Sequence, residues 1–554
     1  MPPTRVSRSR TPNIATTLVA IVALSIMAGC TDSPSGSTDP EPPPSELAGP
    51  RNGGRLVVAL ADDSANWSPA ASPWSSSQFE VGRAIYDRLA VYSDGHELLP
   101  ELADSIEPNS DFTEWTITVR DEVVFHDGSP FDANALKANL EAQRASSITG
   151  PLLVPVRSIF VTGPRTVRVS MRSPWSTFPH LFTSQAGFMA SPSTLATVEG
   201  GASPVGTGPF DFQSAIAGQS LEVSKNSSYW RDGLPRLDDV SFRVLRDGTA
   251  RVEALVAGRV DMLLADDPVT ISALRSVSES SPVELLLDSN AEAPKLTIVF
   301  NTASPPFLDI VARNAVAAAT DREAMVAAGY DGLLVPAKGP VSDQSVWFID
   351  QTYASRDVAQ AREDAEQYQQ TFGEPLAFTL KVPGEPVYLR FAGLWQQQLR
   401  EAGIAVTIEI LDQRIVRLAT AVGDFEAAML PMFGEWHPDM YYPALHRAQM
   451  TPPGAPGLNL ARFGTDGIDE ALDEGRATGE LAAQVDSYRT VQSEIAGGNA
   501  YVFLVRLPQA IGARPDVRDL TLWITTQGQP GLGLERGTVS LTNVWLDRPS
   551  LPAE

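Results

Sequence analysis

The stretch Phe391-Ala392-Gly393-Leu394-Trp395-Gln396-Gln397-Gln398-Leu399-Arg400-Glu401-Ala402-Gly403-Ile404-Ala405-Val406-Thr407-Ile408-Glu409-Ile410 changes its hydrophobic period midway. Before Gly403, the apolar residues Phe391, Leu394, Trp395, Leu399 and Ala402 share one helical face. After it, Ile404, Val406, Ile408 and Ile410 alternate as a strand does. Gly403 sits where a left-handed C-terminal cap is needed. Helix, glycine, strand is the joint of an α/β unit.

The same alternation extends outward. Leu56 to Leu60 is a continuous apolar run and reads as a buried strand. Trp115 to Val119 and Thr166 to Met171 alternate at period two. Leu308, Val311, Ala315, Val316 and Ala319 form another helical face. No repeat of solenoid period interrupts the pattern. At 554 residues the chain holds three or four domains' worth of sequence, at about 150 residues each.

Composition narrows the function. Hydrophobic residues make up 43% and charged residues 20%, a globular mixture. Asp and Glu number 67 against 42 Lys and Arg, a net charge of -25, which opposes contact with nucleic acid phosphates and anionic lipid. Amine-bearing or cationic ligands are compatible with that charge. The single cysteine, Cys30, excludes internal disulfides and multi-cysteine metal sites.

The N-terminus reads as a targeting segment. Arg5, Arg8 and Arg10 precede an apolar run from Ile14 to Ala28, which is shorter than the roughly 20 residues a membrane span requires. Met27-Ala28-Gly29-Cys30 resembles a bacterial lipobox, which implies an acylated Cys30 as the mature N-terminus after removal of residues 1–29. Removal takes away three arginines and no acid, shifting the charge from -25 to -28. Residues 30–50, rich in Ser, Pro and acids, read as a flexible tether. These features predict a soluble body lipid-anchored at the extracytoplasmic face, touching the membrane through the anchor only.

No G-x-S-x-G elbow, H-E-x-x-H or Walker-type glycine loop occurs. Neither a catalytic residue, a cofactor nor a resident metal is expected. His126-Asp127 reads as a pair that satisfies each other and the Gly128-Ser129-Pro130 turn.

A set of spaced motifs adds a resemblance. Ile85-Tyr86-Asp87-Arg88-Leu89, Leu98 to Ala103 and Ser110 to Thr116 lead into Val119-Arg120-Asp121-Glu122-Val123-Val124-Phe125-His126-Asp127-Gly128-Ser129-Pro130-Phe131. Gly206-Thr207-Gly208-Pro209-Phe210, Asn226 to Trp230, Arg251 to Asp261 and Phe300 to Arg322 follow in order. Over about residues 53–510 this resembles the family-5 extracellular solute-binding proteins, the peptide/nickel receptors of ABC importers. The family favours Gly where this chain has Phe112 and Glu122.

The resemblance implies a periplasmic-binding-protein-like class II α/β fold, with two lobes, a hinge and an additional inserted domain. Mapped onto this chain, lobe one takes 51–70, 198–290 and 508–554, the inserted domain 71–197, and lobe two 291–507. It also implies a monomeric receptor that passes a ligand, first of all a peptide, to an ABC permease. Nickel chelates, oligosaccharides and opine-like metabolites are alternatives on the same fold, and an extracellular hydrolase is the alternative from another class. The family's amine-binding loop corresponds to Phe433 to Tyr442. Within it Asp439 is the first candidate for a ligand ammonium and Glu435 the second. Trp436, Tyr441 and Tyr442, with Trp67 and Trp74 from the other side, are candidate pocket walls.

Overall fold

The computed structural model describes residues 49–548 except 65, 196–200, 289–291, 329, 351–352, 354 and 453. Cys30, the targeting segment and most of the tether therefore lie outside the described residues.

The chain enters lobe one through strand β1 (Arg55–Leu60) and helix α1 (Ser76–Ile85). It then builds a small domain from a hairpin, β2 (Ala90–Tyr92) and β3 (Leu98–Pro100), and a four-stranded antiparallel sheet. That sheet has β4 (Ala103–Pro108), β5 (Glu114–Val119), β6 (Val156–Gly163) and β7 (Thr166–Met171) in the order β4-β5-β7-β6, with α2 (Ala133–Ala145) packed on it. Phe112 and Glu122, where the resembled family favours glycine, both hold positive φ, 58° and 60°. Glycine adopts that conformation without the steric cost of a Cβ, about 1–2 kcal/mol per residue.

The chain returns to lobe one with β8 (Phe210–Ile216), β9 (Ser220–Lys225), β10 (Asp239–Val244), α3 (Gly248–Val256), β11 (Met262–Ala265), α4 (Pro268–Ser278) and β12 (Glu284–Leu287). Lobe two follows as β13 (Lys295–Phe300), α5 (Ile310–Ala319), β14 (Val335–Pro336), α6 (Val358–Phe372), β15 (Ala377–Pro383), α7 (Pro386–Glu401), β16 (Ala405–Leu411), α8 (Gln413–Val422), β17 (Ala427–Met432), α9 (Asp466–Ala477), α10 (Leu481–Gly498) and β18 (Tyr501–Arg506). Strand β19 (Ala510–Ala513) carries the chain back into lobe one.

The lobe-one sheet has the order β12-β19-β11-β1-β10-β9-β8, and the lobe-two sheet β14-β18-β13-β17-β15-β16. Strand β1 is parallel to both β10 and β11, so adjacent strands end on the same edge. Ligands of open α/β sheets bind outside such carboxyl ends. The two connections between lobes run side by side: Leu507 N donates to Pro294 O at 2.8 Å and Asp288 N to Gln509 O at 2.8 Å.

The α7–Gly403–β16 joint takes the form its sequence predicts. Phe391, Trp395 and Leu399 are fully buried against Phe378 and Leu380, and Gly403 has φ +81°. Three local readings differ. Leu308 precedes the α5 N-cap Asp309 and is 62% exposed, so it is not on that helix's core face. Helix α1, within the stretch read as inserted domain, buries Phe79, Val81 and Ile85 in the lobe-one core beside Leu56 and Val58. His126 and Asp127 also do not satisfy each other. Asp127 accepts from Ser129 N and from Ser191 Oγ, while His126 Nε2 lies 3.0 Å from Gly208 O.

Candidate functional site

A cavity of about 390 Å³ lies between the lobes. Its lobe-one wall includes Asp62, just beyond β1, and Asp266, just beyond β11, the carboxyl ends of two adjacent parallel strands. Lobe two contributes Arg417 on α8 and the loop after β17. Trp74 and Arg536 close it from the lobe-one side. A larger space of about 1000 Å³ lies beyond Trp436 and His437, which line both.

The loop after β17 is held from beneath. Phe433 has a positive φ of 57°, and its carbonyl accepts from the buried Lys295 ammonium at 2.8 Å. Lys295 also pairs with Glu292 at 2.7 Å, beside the interlobe connection. The Tyr441 hydroxyl accepts from Glu435 N and donates to Glu435 O, both at 2.8 Å. The backbone at Glu435 is thereby fixed while its carboxylate reaches across the cleft to the Arg536 guanidinium. Behind Arg536, Glu535 takes a two-pronged contact from Arg88 at 2.9 and 2.8 Å. Burial opposes the charge of Glu535, but Arg88, Arg83 and Arg536 outweigh it and hold the carboxyl down at about 2.

Asp439, the first candidate for a ligand amine, is not in this cavity. It is 2% exposed, and its Oδ1 accepts from Arg476 Nε at 2.5 Å. Its Oδ2 accepts from Trp175 Nε1 and Thr177 Oγ1, each at 2.8 Å. Three donors, two of them from the inserted domain, occupy the carboxylate, so it works as a staple between that domain and lobe two. The proline that precedes Asp439 instead of following it places the acid in a tight helical turn, Pro438–Tyr441, facing inward. Glu435 is the acid of this loop that faces the cavity.

The aromatic candidates separate in the same way. Trp436 lines the cavity and stacks on His96 at 3.4 Å. Trp74 lines it too, packed 5.3 Å from Phe188. Tyr441 is a brace rather than a wall. Tyr442 lies beneath the Arg476 guanidinium at 3.5 Å and donates to Asp473 Oδ1 at 2.8 Å. Trp67 is 4% exposed in the lobe-one core and borders a separate cavity of about 170 Å³.

Asp62, Asp266, Arg417 and Arg536 are cavity residues that the motifs do not mark. Asp62 and Asp266 carry a usable signal, being acids directly after apolar strands. Asp266 opens onto the cavity between the lobes. The loss of bulk solvation pushes its carboxyl up to about 6, opposed by Arg251 and reinforced by Asp267 and Asp62. His437, buried 4.1 Å from His180, is pushed down to about 3 by burial and then by Arg476, so it is neutral at physiological pH.

Comparison with known proteins agrees with this architecture. The model of the bacterial extracellular solute-binding proteins, family 5 Middle, matches residues 97–450. The glutathione-binding protein GsiB of Pectobacterium atrosepticum is 26% identical over 479 residues, covering 81% of this chain and 88% of its own length. GsiB of Salmonella paratyphi A is likewise 26% identical, over 466 residues. Among solved structures, AgaA of A. tumefaciens R10 in complex with agropinic acid superposes with a TM-score of 0.77 at 23% identity, covering 90% of this chain and 99% of AgaA. Helicobacter pylori DppA in complex with the peptide STSA also reaches 0.77, at 20% identity, covering 90% of this chain and 99% of DppA. With the family model spanning well over half of its length, this chain belongs to the bacterial extracellular solute-binding proteins of family 5.

Proposed function

We propose that the protein is the extracytoplasmic receptor of an ABC importer, closing two lobes over a small peptide-like solute and presenting it to the permease. The observation that carries this reading is a cavity of about 390 Å³ walled by both lobes and lined with charged side chains of both signs. Cavities of roughly 300–1,000 Å³ suit ligands of small-molecule size. That scale favours a short peptide or a compact amine-bearing metabolite. Relatives named for glutathione and neighbours in complex with agropinic acid or a short peptide support the same ligand range. In this reading Glu435, Trp436 and Trp74 are wall residues, Cys30 is the acylated anchor, the chain works as a monomer without cofactor or nucleic acid, and no bond is made or broken.

The test is mass spectrometry of ligand released by denaturing the purified protein, followed by scattering with and without that ligand. A small amine-bearing solute that reduces the radius of gyration is expected. A protein that hydrolyses the solute, or one whose scattering ignores it at saturation, would overturn the receptor reading.

A further inference from the structure

The ion-paired wall residues Glu435 and Arg536 sit on different lobes, yet both are fastened to the interlobe connections. On the lobe-two side, the Lys295 ammonium donates to Glu292 Oε2 at 2.7 Å and to Phe433 O at 2.8 Å. Gly434 lies against Pro294: a Cβ on it would stand 3.0 Å from Pro294 Cγ and 3.2 Å from Pro294 N. On the lobe-one side, Gly537 N donates to Asp288 Oδ2 at 3.1 Å, and a Cβ on Gly537 would stand 2.9 Å from Gln509 Cβ. Pro294 and Gln509 are the residues whose carbonyls join the two connections. The loop that carries Glu435 is thus seated on the first connection, and the turn that carries Arg536 on both.

Lys295 is the tightest of these ties. It is 0% exposed and Glu292 is 6% exposed. An ammonium buried that deeply has no water to replace an acceptor that moves away, and an unmade bond to a charged group is costly. Glu292 is held in turn by Ser342 N at 3.3 Å, and Ser342 Oγ accepts from Arg506 Nη1 at 2.7 Å, at the end of β18 where the second connection begins. Phe433 keeps a φ of 57°, which is unfavourable for a residue with a Cβ, while Lys295 holds its carbonyl.

Hinge motion changes the backbone angles of such connections. A change there pulls on Pro294 and Lys295, and through them on Gly434 and the Phe433 carbonyl. The same change moves Asp288 and Gln509, on which the Arg536 turn rests. Both halves of the pair that spans the cleft therefore take their positions from the connections.

We propose that Lys295 is a positioning residue for ligand capture, coupling the bend of the interlobe connection to the placement of the Glu435 wall, so that closing the lobes and assembling the wall are one event. This rests on the receptor reading, since it needs lobes that open and close. Lys295 does not itself line the cavity, so it acts through Phe433 and Glu435. The coupling runs both ways. Separating Glu435 from Arg536 lets the loop draw away from Pro294, and bending the connection withdraws Glu435 from Arg536.

The experiment combines hydrogen exchange and small-angle scattering on the unliganded full chain. Lys295→Met together with Glu292→Gln removes the tie without leaving a buried charge. Amide exchange from Gly434 to Trp436 should then speed up by about tenfold, the worth of one hydrogen bond to a charged group, while β15 and β16 exchange as in wild type. The radius of gyration should grow in parallel, toward that of Arg536→Gln, and adding Arg536→Gln should enlarge it little further. Gly434→Ala leaves Lys295 in place and pushes the loop off Pro294, so it should move both readouts in the same direction. A wild-type radius of gyration in the paired variant overturns the proposal, whatever the loop does, and leaves Lys295 a local brace. An increase that simply adds to that of Arg536→Gln overturns it as well. If the paired variant does not fold, Gly434→Ala decides alone by the same criteria. The receptor reading is judged separately: it falls if the wild type fails to contract with the solute recovered by mass spectrometry, whereas a wild type that contracts while loop and lobes respond independently sinks only the coupling.

Discussion

Asp439 shows how a residue can keep a family's chemistry and lose its role. Its carboxylate, placed in the loop that resembles an amine-binding loop, is spent on Arg476, Trp175 and Thr177. Breaking a buried ion pair by removing one partner typically costs about 3–5 kcal/mol, because the remaining charge stays desolvated. Asp439→Asn should therefore lower the denaturant midpoint by a corresponding amount, with Arg476 left unpaired. Its ligands should still distinguish free from acetylated amines by the wild-type factor, as calorimetry can measure. A variant of normal stability that no longer makes that distinction would return Asp439 to the ligand site.

At the level of elements, the wall depends on what lies behind it. Trp74 rests on α1 directly over Gly82, where an added Cβ would meet the indole at 2.3 Å. The helix itself would gain from alanine, by about 1 kcal/mol. Overpacking costs about 1–3 kcal/mol unless the ring moves. Gly82→Ala should thus change overall stability little while displacing Trp74 into the cavity. The expected result is a shifted tryptophan emission and weaker ligand binding with an unchanged circular dichroism spectrum. Normal affinity would show that Trp74 is not a wall the ligand needs. The same dependence appears at Glu435, whose position is set by Lys295 beneath Phe433 and by Tyr441 behind it. A motif can name the loop, but these braces come from β13 and from a turn six residues downstream.

Across the whole molecule, the contacts that join lobe two to the rest include Glu435 with Arg536, Asp439 with Trp175 and Thr177, and Trp436 with His96. Each exists only while the lobes are together, so each biases the open–closed equilibrium toward closure. Arg536→Gln removes the ion pair and leaves a buried network around Glu535 short of one charge. Unliganded variant protein should scatter with a larger radius of gyration than wild type, and saturating ligand should restore part of the difference. An identical unliganded profile would show that the pair does not hold the lobes.

The α7–Gly403–β16 joint and the alternating strands were sufficient to predict an α/β chain, while the two lobes and the binding role came from the family resemblance carried by the ordered motifs. Such patterns are local: period, caps and turn residues act within a few positions of themselves. Glu122 and Phe112 were visible as departures, though their meaning needed the backbone, where both hold positive φ. The ligand site was less legible. Asp62, Asp266 and Arg417 are about 150 to 350 positions apart in sequence and line one cavity only because β1 and β11 end side by side and α8 faces them from the other lobe. Which acid is free is also a tertiary matter. Asp439 and Asp266 are the same residue type, but one is saturated by three donors and the other lines the cavity between the lobes. Composition could say that the protein would accept a cation. The direction each carboxylate faces, and whether the protein has already neutralised it, was decided by long-range packing.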